Sequence, residues 1–193
     1  MAQPIKVLAF AGSLRSGSFN KQLVSIAASM AERAGAQVTV ADLRELNMPL
    51  YDGDFEASQG LPEGALRFKE LMNTHDALLI SSPEYNSSIT GALKNAVDWA
   101  SRQAPGEKPL QSFSGKVAGL LSASPGALGG LRSLNTVRAI LENLLVLVVP
   151  EQFALARAAD AFDGSGGLKD PKQAAGVQKV VDRLLAVTSK LLA

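Results

Sequence analysis

The chain has 193 residues, 47% of them apolar, which is enough to fill one sizeable core and excludes a disordered chain. Nineteen Lys and Arg against eighteen Asp and Glu leave a net charge of +1, which excludes a strong basic field for nucleic acid. With no cysteine and a single histidine, His75, there is no route to thiol catalysis, disulfides, cysteine-ligated zinc, iron–sulfur clusters or a metal site needing two imidazoles.

Five apolar runs rich in branched aliphatics recur along the chain: Ile5–Ala11, Gln37–Ala41, Ala77–Ser81, Val117–Leu121 and Leu145–Val149. None alternates with period two, so each predicts a strand buried on both faces, as in a parallel sheet. After the first run, Phe19, Leu23, Ile26 and Met30 recur at helical steps. At the far end, Val177, Val180, Val181, Leu184, Thr188 and Leu191 mark one helix face, with Asp170-Pro171 as N-cap and first-turn proline. Alternating strand and helix signals predict a three-layer α/β fold with right-handed crossovers, and residues 1–193 leave no slack for a second domain. The stretches Gly53–Gly64 and Asp160–Pro171 read as polar loops. The longest wholly aliphatic run, Leu144–Val149, is far short of the ~20 residues that span a bilayer. The opening MAQPIKVLAFAGS has no cationic segment of the secretory type, so the expectation is a soluble cytoplasmic protein.

Ligands of an open parallel sheet bind outside the carboxyl ends of its strands, where strand order reverses. After the first strand comes Gly12-Ser13-Leu14-Arg15-Ser16-Gly17-Ser18-Phe19-Asn20-Lys21, a short turn that opens a helix. Unpaired N–H groups at a helix start, three serine hydroxyls and Arg15 suit a phosphate monoester. Two named phosphate motifs fail here. Ser18-Phe19 stands where a P-loop needs Lys then Ser or Thr, and Leu14 stands where the dinucleotide pattern needs glycine. A plain N-capped helix is the competing reading, but it needs one serine rather than three and an arginine. After the third strand comes Ser81-Ser82-Pro83-Glu84-Tyr85-Asn86-Ser87-Ser88-Ile89-Thr90-Gly91, a loop stiffened by Pro83 that can lie against a planar heterocycle. For Tyr85 alone, packing is as good an explanation as ligand contact. After the fourth strand, Ser122-Ala123-Ser124-Pro125-Gly126-Ala127-Leu128-Gly129-Gly130 offers close backbone approach to a ligand.

Together these loops resemble the NADPH-dependent FMN reductase family, flavodoxin-like enzymes that include quinone, chromate and azo-dye reductases. The resemblance rests on Gly12 to Asn20, on Pro83-Glu84-Tyr85-Asn86, and on Gly91-Ala-Leu-Lys-Asn-Ala-Val-Asp-Trp99, and it covers nearly the whole chain. It implies a flavodoxin-like sheet of order 2-1-3-4-5 and one noncovalently bound FMN. Ser13, Arg15, Ser18, Phe19 and Asn20 would hold the phosphate and ribityl end. Pro83, Glu84, Tyr85 and Asn86 would line the isoalloxazine, mostly through backbone groups, and Ser124 and Gly126 would close the third side. It also implies a homodimer or homotetramer, which fits a charged fraction of 19% against the ~25% usual for soluble domains. The implied chemistry is ping-pong: hydride from NADPH or NADH to FMN, then two electrons to a quinone, azo dye, chromate or flavin, with no side chain named as catalytic. A flavodoxin-type electron carrier is the alternative, although such carriers are usually strongly acidic.

Five other residues have plain readings. His75 is expected at the surface or a helix end, and Asp42 in a polar turn. Lys94 and Asp98 are expected as a surface ion pair at i, i+4. Arg132 reads equally well as a solvated arginine and as an interface or NADPH-phosphate group.

Overall fold

The computed structural model describes residues 3–193. Strands β1 (Lys6–Ala11), β2 (Gln37–Ala41), β3 (Ala77–Ser81), β4 (Val117–Ala123) and β5 (Leu147–Leu155) form one sheet in the order β2-β1-β3-β4-β5. All four pairings are parallel, so every strand's carboxyl end lies on the same edge. The flavodoxin-like topology expected above is therefore the one observed. Helices α1 (Phe19–Arg33) and α7 (Pro171–Leu192) cover one face. The other face carries α3 (Glu63–Thr74), α4 (Gly91–Ser101) and α5 (Leu131–Asn143).

Two apolar cores explain why the strand runs do not alternate. Val7, Ala9 and Ala11 of β1 pack toward α1 and α7, while Leu8 and Phe10 pack toward the opposite helices. With both faces covered, every position of β3 and β4 and all of β1 after Lys6 are buried, and polarity has no period to follow. Trp99 of α4 is fully buried, its ring edge-on to Tyr51 at 5.0 Å, and its indole N–H donates to the Pro49 carbonyl at 2.7 Å. That bond satisfies the one polar atom of an otherwise apolar side chain.

Three elements differ from expectation. Gly53–Gly64 is not all loop, because Gly53–Gln59 forms α2, although none of its residues is buried. Its start is chemical: the Asp52 carboxylate accepts from the Asp54 N–H at 2.8 Å, and Asp54 and Glu56 complement the positive end of the helix. Glu56 then binds Arg102 through both oxygens and the Tyr51 hydroxyl, which straps α2 to the end of α4. Within Asp160–Pro171, the first residues belong to a short helix α6 (Ala158–Ala161), and the rest is a turn organised by the Asp163 carboxylate. Strand β5 runs on through Pro150 to Leu155, with an irregularity opposite Gly119, instead of stopping at Val149. A proline is tolerated there because β5 is an edge strand and its pairing is already interrupted.

His75 does end a helix, α3, but it is buried. Its Nδ1 lies 2.7 Å from the Leu71 carbonyl and its Nε2 2.7 Å from the Thr39 hydroxyl. A carbonyl can only accept, so Nδ1 carries the proton and Nε2 takes the hydrogen of Thr39. Lys94 and Asp98 form the expected surface pair at 2.7 Å.

Candidate functional site

The loops after β1, β3 and β4 meet at the carboxyl edge of the sheet and are cross-linked there by buried polar groups. Asn20, in the first turn of α1, donates from Nδ2 to the Ala123 carbonyl at 2.8 Å. Its Oδ1 accepts from the Ser81 hydroxyl at 2.8 Å and from the Ala123 N–H at 2.9 Å. One side chain thus ties α1 to the ends of β3 and β4. Thr90 caps α4 by accepting from the Leu93 N–H and donates its own hydroxyl hydrogen to the Gly12 carbonyl. A Cβ on Gly12 would stand 2.9 Å from the Leu93 Cβ, so glycine permits this close approach. The Ser82 carbonyl accepts from Ser122 Oγ at 2.7 Å and Ser133 Oγ at 3.2 Å.

Within the first loop, Ser13 Oγ accepts from the Arg15 N–H at 3.3 Å, and Ser18 Oγ caps α1 at the Lys21 N–H. Each hydroxyl keeps its own hydrogen to donate outward. Among the described residues, the backbone N–H groups of Ser16, Gly17, Phe19 and Asn20 have no protein acceptor. Arg15 is exposed, and no acidic side chain stands between Gly12 and Asn20. Lys21 is already paired with Asp42 at 2.6 Å, and Asp42 also accepts from the Arg44 N–H. Asp42 thus closes the polar turn expected of it. Phe19 stacks on Phe162 with ring centroids 6.0 Å apart, so its contribution to the loop is its N–H and not its ring. The outer side of the loop continues into a cavity of about 220 Å³ lined by Leu14, Arg44, Asn47, Met48 and Asn95.

In the second loop Pro83 is buried, while Tyr85 and Asn86 are exposed. Tyr85 and Ser88 exchange backbone hydrogen bonds of 2.9 and 3.1 Å across a two-residue turn, with Asn86 at φ 51° and Ser87 at φ 67°. Both signs are those of a type I′ turn, which asparagine tolerates and serine does not favour. Ser87→Gly is expected to stabilise the protein by about 0.5–1 kcal/mol, visible as a rise of a few degrees in Tm. The Glu84 carboxylate does not project from the loop. It pairs with the Arg132 guanidinium, which holds the carboxyl below its usual range, and accepts from the Arg132 N–H at 3.1 Å. Arg132 is thus exposed and ion-paired at the rim. In the third loop Ser124 Oγ accepts from the Gly126 N–H, and the Gly126 carbonyl accepts from Gly129 and Arg157.

The sequence-selected residues Ser13, Arg15, Ser18, Pro83, Glu84, Tyr85, Asn86, Ser124 and Gly126 therefore lie on these three adjoining loops, and Phe19 and Asn20 lie in the first turn of α1 that follows the first of them. Sequence reasoning missed Ser81, Ser122 and Ser133, which stitch the loops together, and the pin from Arg44 Nε to the Leu14 carbonyl at 2.6 Å. Thr90 was readable, since a threonine directly before a helical pattern is an N-cap signal. The buried serines carry no comparable signal.

The parallel sheet of order β2-β1-β3-β4-β5 defines a flavodoxin-like α/β protein, with the three loops at its carboxyl edge. The chain belongs to the family described as NADPH-dependent FMN reductase, which it matches over residues 5–160. It is 41% identical over 186 residues to an NAD(P)H-dependent FMN reductase of Pseudomonas aeruginosa, covering 95% of each chain. It is 36% identical to an NAD(P)H:quinone oxidoreductase of Solanum tuberosum, over 98% of this chain and 96% of the relative. It also superimposes on the flavoenzyme NAD(P)H:(acceptor) oxidoreductase FerB of Paracoccus denitrificans with a TM-score of 0.82 and 31% identity, covering 96% and 98% of the two chains.

Proposed function

We propose that the chain is an NAD(P)H-dependent FMN reductase that delivers electrons to quinone-type acceptors. The observation that carries this reading is the cluster of N–H groups without acceptors at the head of α1, beside Arg15 and the Ser13 and Ser18 hydroxyls. A phosphate dianion fits such a cluster, because it needs several convergent donors, a cation and no competing carboxylate. Ser13, Arg15, Ser18 and the N–H groups of Phe19 and Asn20 would hold the phosphate and ribityl end of FMN. Pro83, Glu84, Tyr85 and Asn86 would face the isoalloxazine through their backbone, with Ser124 and Gly126 on the third side. FMN held there would supply two-electron redox chemistry between NAD(P)H and an acceptor.

The chain's own part is orientation. The second loop is held by a buried proline, a hydrogen-bonded turn and the Glu84–Arg132 pair, so its peptide groups are fixed before a ligand arrives. Glu84 is kept ionised by Arg132 and so has no proton to give at neutral pH. Leu14, Tyr85, Leu128 and Leu131 leave an exposed apolar rim on or beside the three loops, suited to a nicotinamide or quinone ring. The same rim supports self-association as a homodimer or homotetramer. No helix among the described residues is long and apolar enough to cross a membrane.

The test is an absorbance spectrum of the purified protein, followed by NADH and NADPH oxidation with a benzoquinone as acceptor. A yellow protein that turns over, with parallel double-reciprocal lines for the two substrates, is expected. A yellow protein without turnover would make it an electron carrier, and a colourless one that cannot be reconstituted with FMN would reject the reading.

A further inference from the structure

Across the stretches 12–18, 82–90 and 124–130, Glu84 is the one acidic residue. An acid at a site proposed for a phosphorylated, electron-rich cofactor calls for a physical reason, and the helix that follows the third loop supplies it. Helix α5 starts after Gly130, whose φ of 88° is left-handed and which has no side chain to cap the helix. A Cβ at Gly130 would lie 1.9 Å from Ser122 Oγ, so a capping side chain cannot be placed there. Glu84 takes over the task from the neighbouring loop. Its Oε2 accepts from the Arg132 N–H at 3.1 Å, and Oε1 accepts from Arg132 Nε at 2.7 Å. The carboxylate therefore meets one orphan N–H group, the positive end of α5 and a guanidinium together. Two residues upstream, the Ser82 carbonyl is held by Ser122 and Ser133. Beyond Glu84 the chain turns out to solvent through Tyr85, Asn86 and Ser87. Glu84 is thus the last fixed point before the exposed turn.

We propose that Glu84 is a positioning residue for the flavin ring: by borrowing the uncapped start of α5 as an anchor, it sets the orientation of the Pro83–Asn86 peptide groups that the ring lies against. The proposal rests on the FMN reading above and adds a residue whose side chain acts through α5. The ring end of the ligand, and not its phosphate, then depends on Glu84. Removal of the side chain frees the segment and also leaves the Arg132 N–H at the start of α5 without its acceptor.

The experiment is titration of FMN and of riboflavin into flavin-free wild type and variants, read by quenching of flavin fluorescence, with Tm measured in parallel. Glu84→Ala is expected to raise Kd for both flavins by the same factor, about tenfold, the equivalent of one charged hydrogen-bonded anchor. Glu84→Gln keeps one acceptor oxygen but turns an amide donor toward Arg132, and is expected to lose about threefold for both. Arg132→Ala leaves the helix N–H donor of residue 132 in place and is expected to lose less than Glu84→Ala. A drop in Tm with both affinities within about twofold of wild type would reduce Glu84 to a stabilising contact and overturn the proposal. A loss confined to FMN would overturn it as well, because that assigns Glu84 to the phosphate end. If Glu84→Ala does not fold, Glu84→Gln decides on the same criteria. Wild type that quenches neither flavin would overturn the FMN reading itself and the proposal with it.

Discussion

Arg15→Ala is expected to raise Kd for FMN by about 10- to 100-fold while leaving Kd for riboflavin within about twofold. The two ligands differ only in the phosphate, so the difference isolates the contribution of the guanidinium to the anion. The magnitude is that of a charge-assisted hydrogen bond, about 1.5–3 kcal/mol. Among the described residues the Arg15 side chain makes no hydrogen bond or ion pair. It is also exposed, so truncation removes no packing, and Tm of the flavin-free protein should not move. Raised salt should narrow the gap between wild type and variant, because an exposed charge is screened. Equal losses for FMN and riboflavin would place Arg15 elsewhere on the ligand.

Asn20→Ala carries the largest expected cost in stability. The side chain is buried, and its loss leaves the Ser81 hydroxyl, the Ala123 N–H and the Ala123 carbonyl without partners at the ends of β3 and β4. Each unsatisfied buried group costs about 1–3 kcal/mol, and partial relaxation brings the sum to about 3–4 kcal/mol. Urea denaturation should show a lower midpoint with an unchanged slope. Asn20→Asp keeps the acceptor for Ser81 and the Ala123 N–H but sets a charged oxygen against the Ala123 carbonyl, so it should not rescue. A loss below about 1 kcal/mol for Asn20→Ala would mean that the three loops are held together by other contacts.

Asn20 also marks how far the site could be read from the residues alone. Its neighbourhood was legible, since serines, glycines and an arginine ahead of a helical pattern state their chemistry locally. Its own task was not. In sequence it counts as one more polar group for the cofactor's tail, whereas in the fold its amide is spent on Ser81 and Ala123, and its free N–H is what remains for a ligand. Glu84 shows the same pattern, because a carboxylate in a loop cannot announce that it will cap a helix starting at Leu131. The sheet was legible for the opposite reason. Burial on both faces leaves unbroken aliphatic runs at β1 and β3, and their spacing fixes the crossover connections. The exposed helix α2 escaped because it has no apolar face to set a period. Only its Asp52 cap and acidic first turn signal it. The extension of β5 escaped because a proline inside a strand normally argues for its end.

The central claim is that FMN is held by its phosphate at the first loop, with its ring against Pro83–Asn86. A crystal structure of the protein grown with FMN tests it most directly. Phosphate density is expected within hydrogen-bonding distance of the Phe19 and Asn20 N–H groups and the Arg15 guanidinium, with the ring beside the second loop and one face open. Density at any cavity away from these three loops, or a ring end buried where the phosphate is expected, would contradict it.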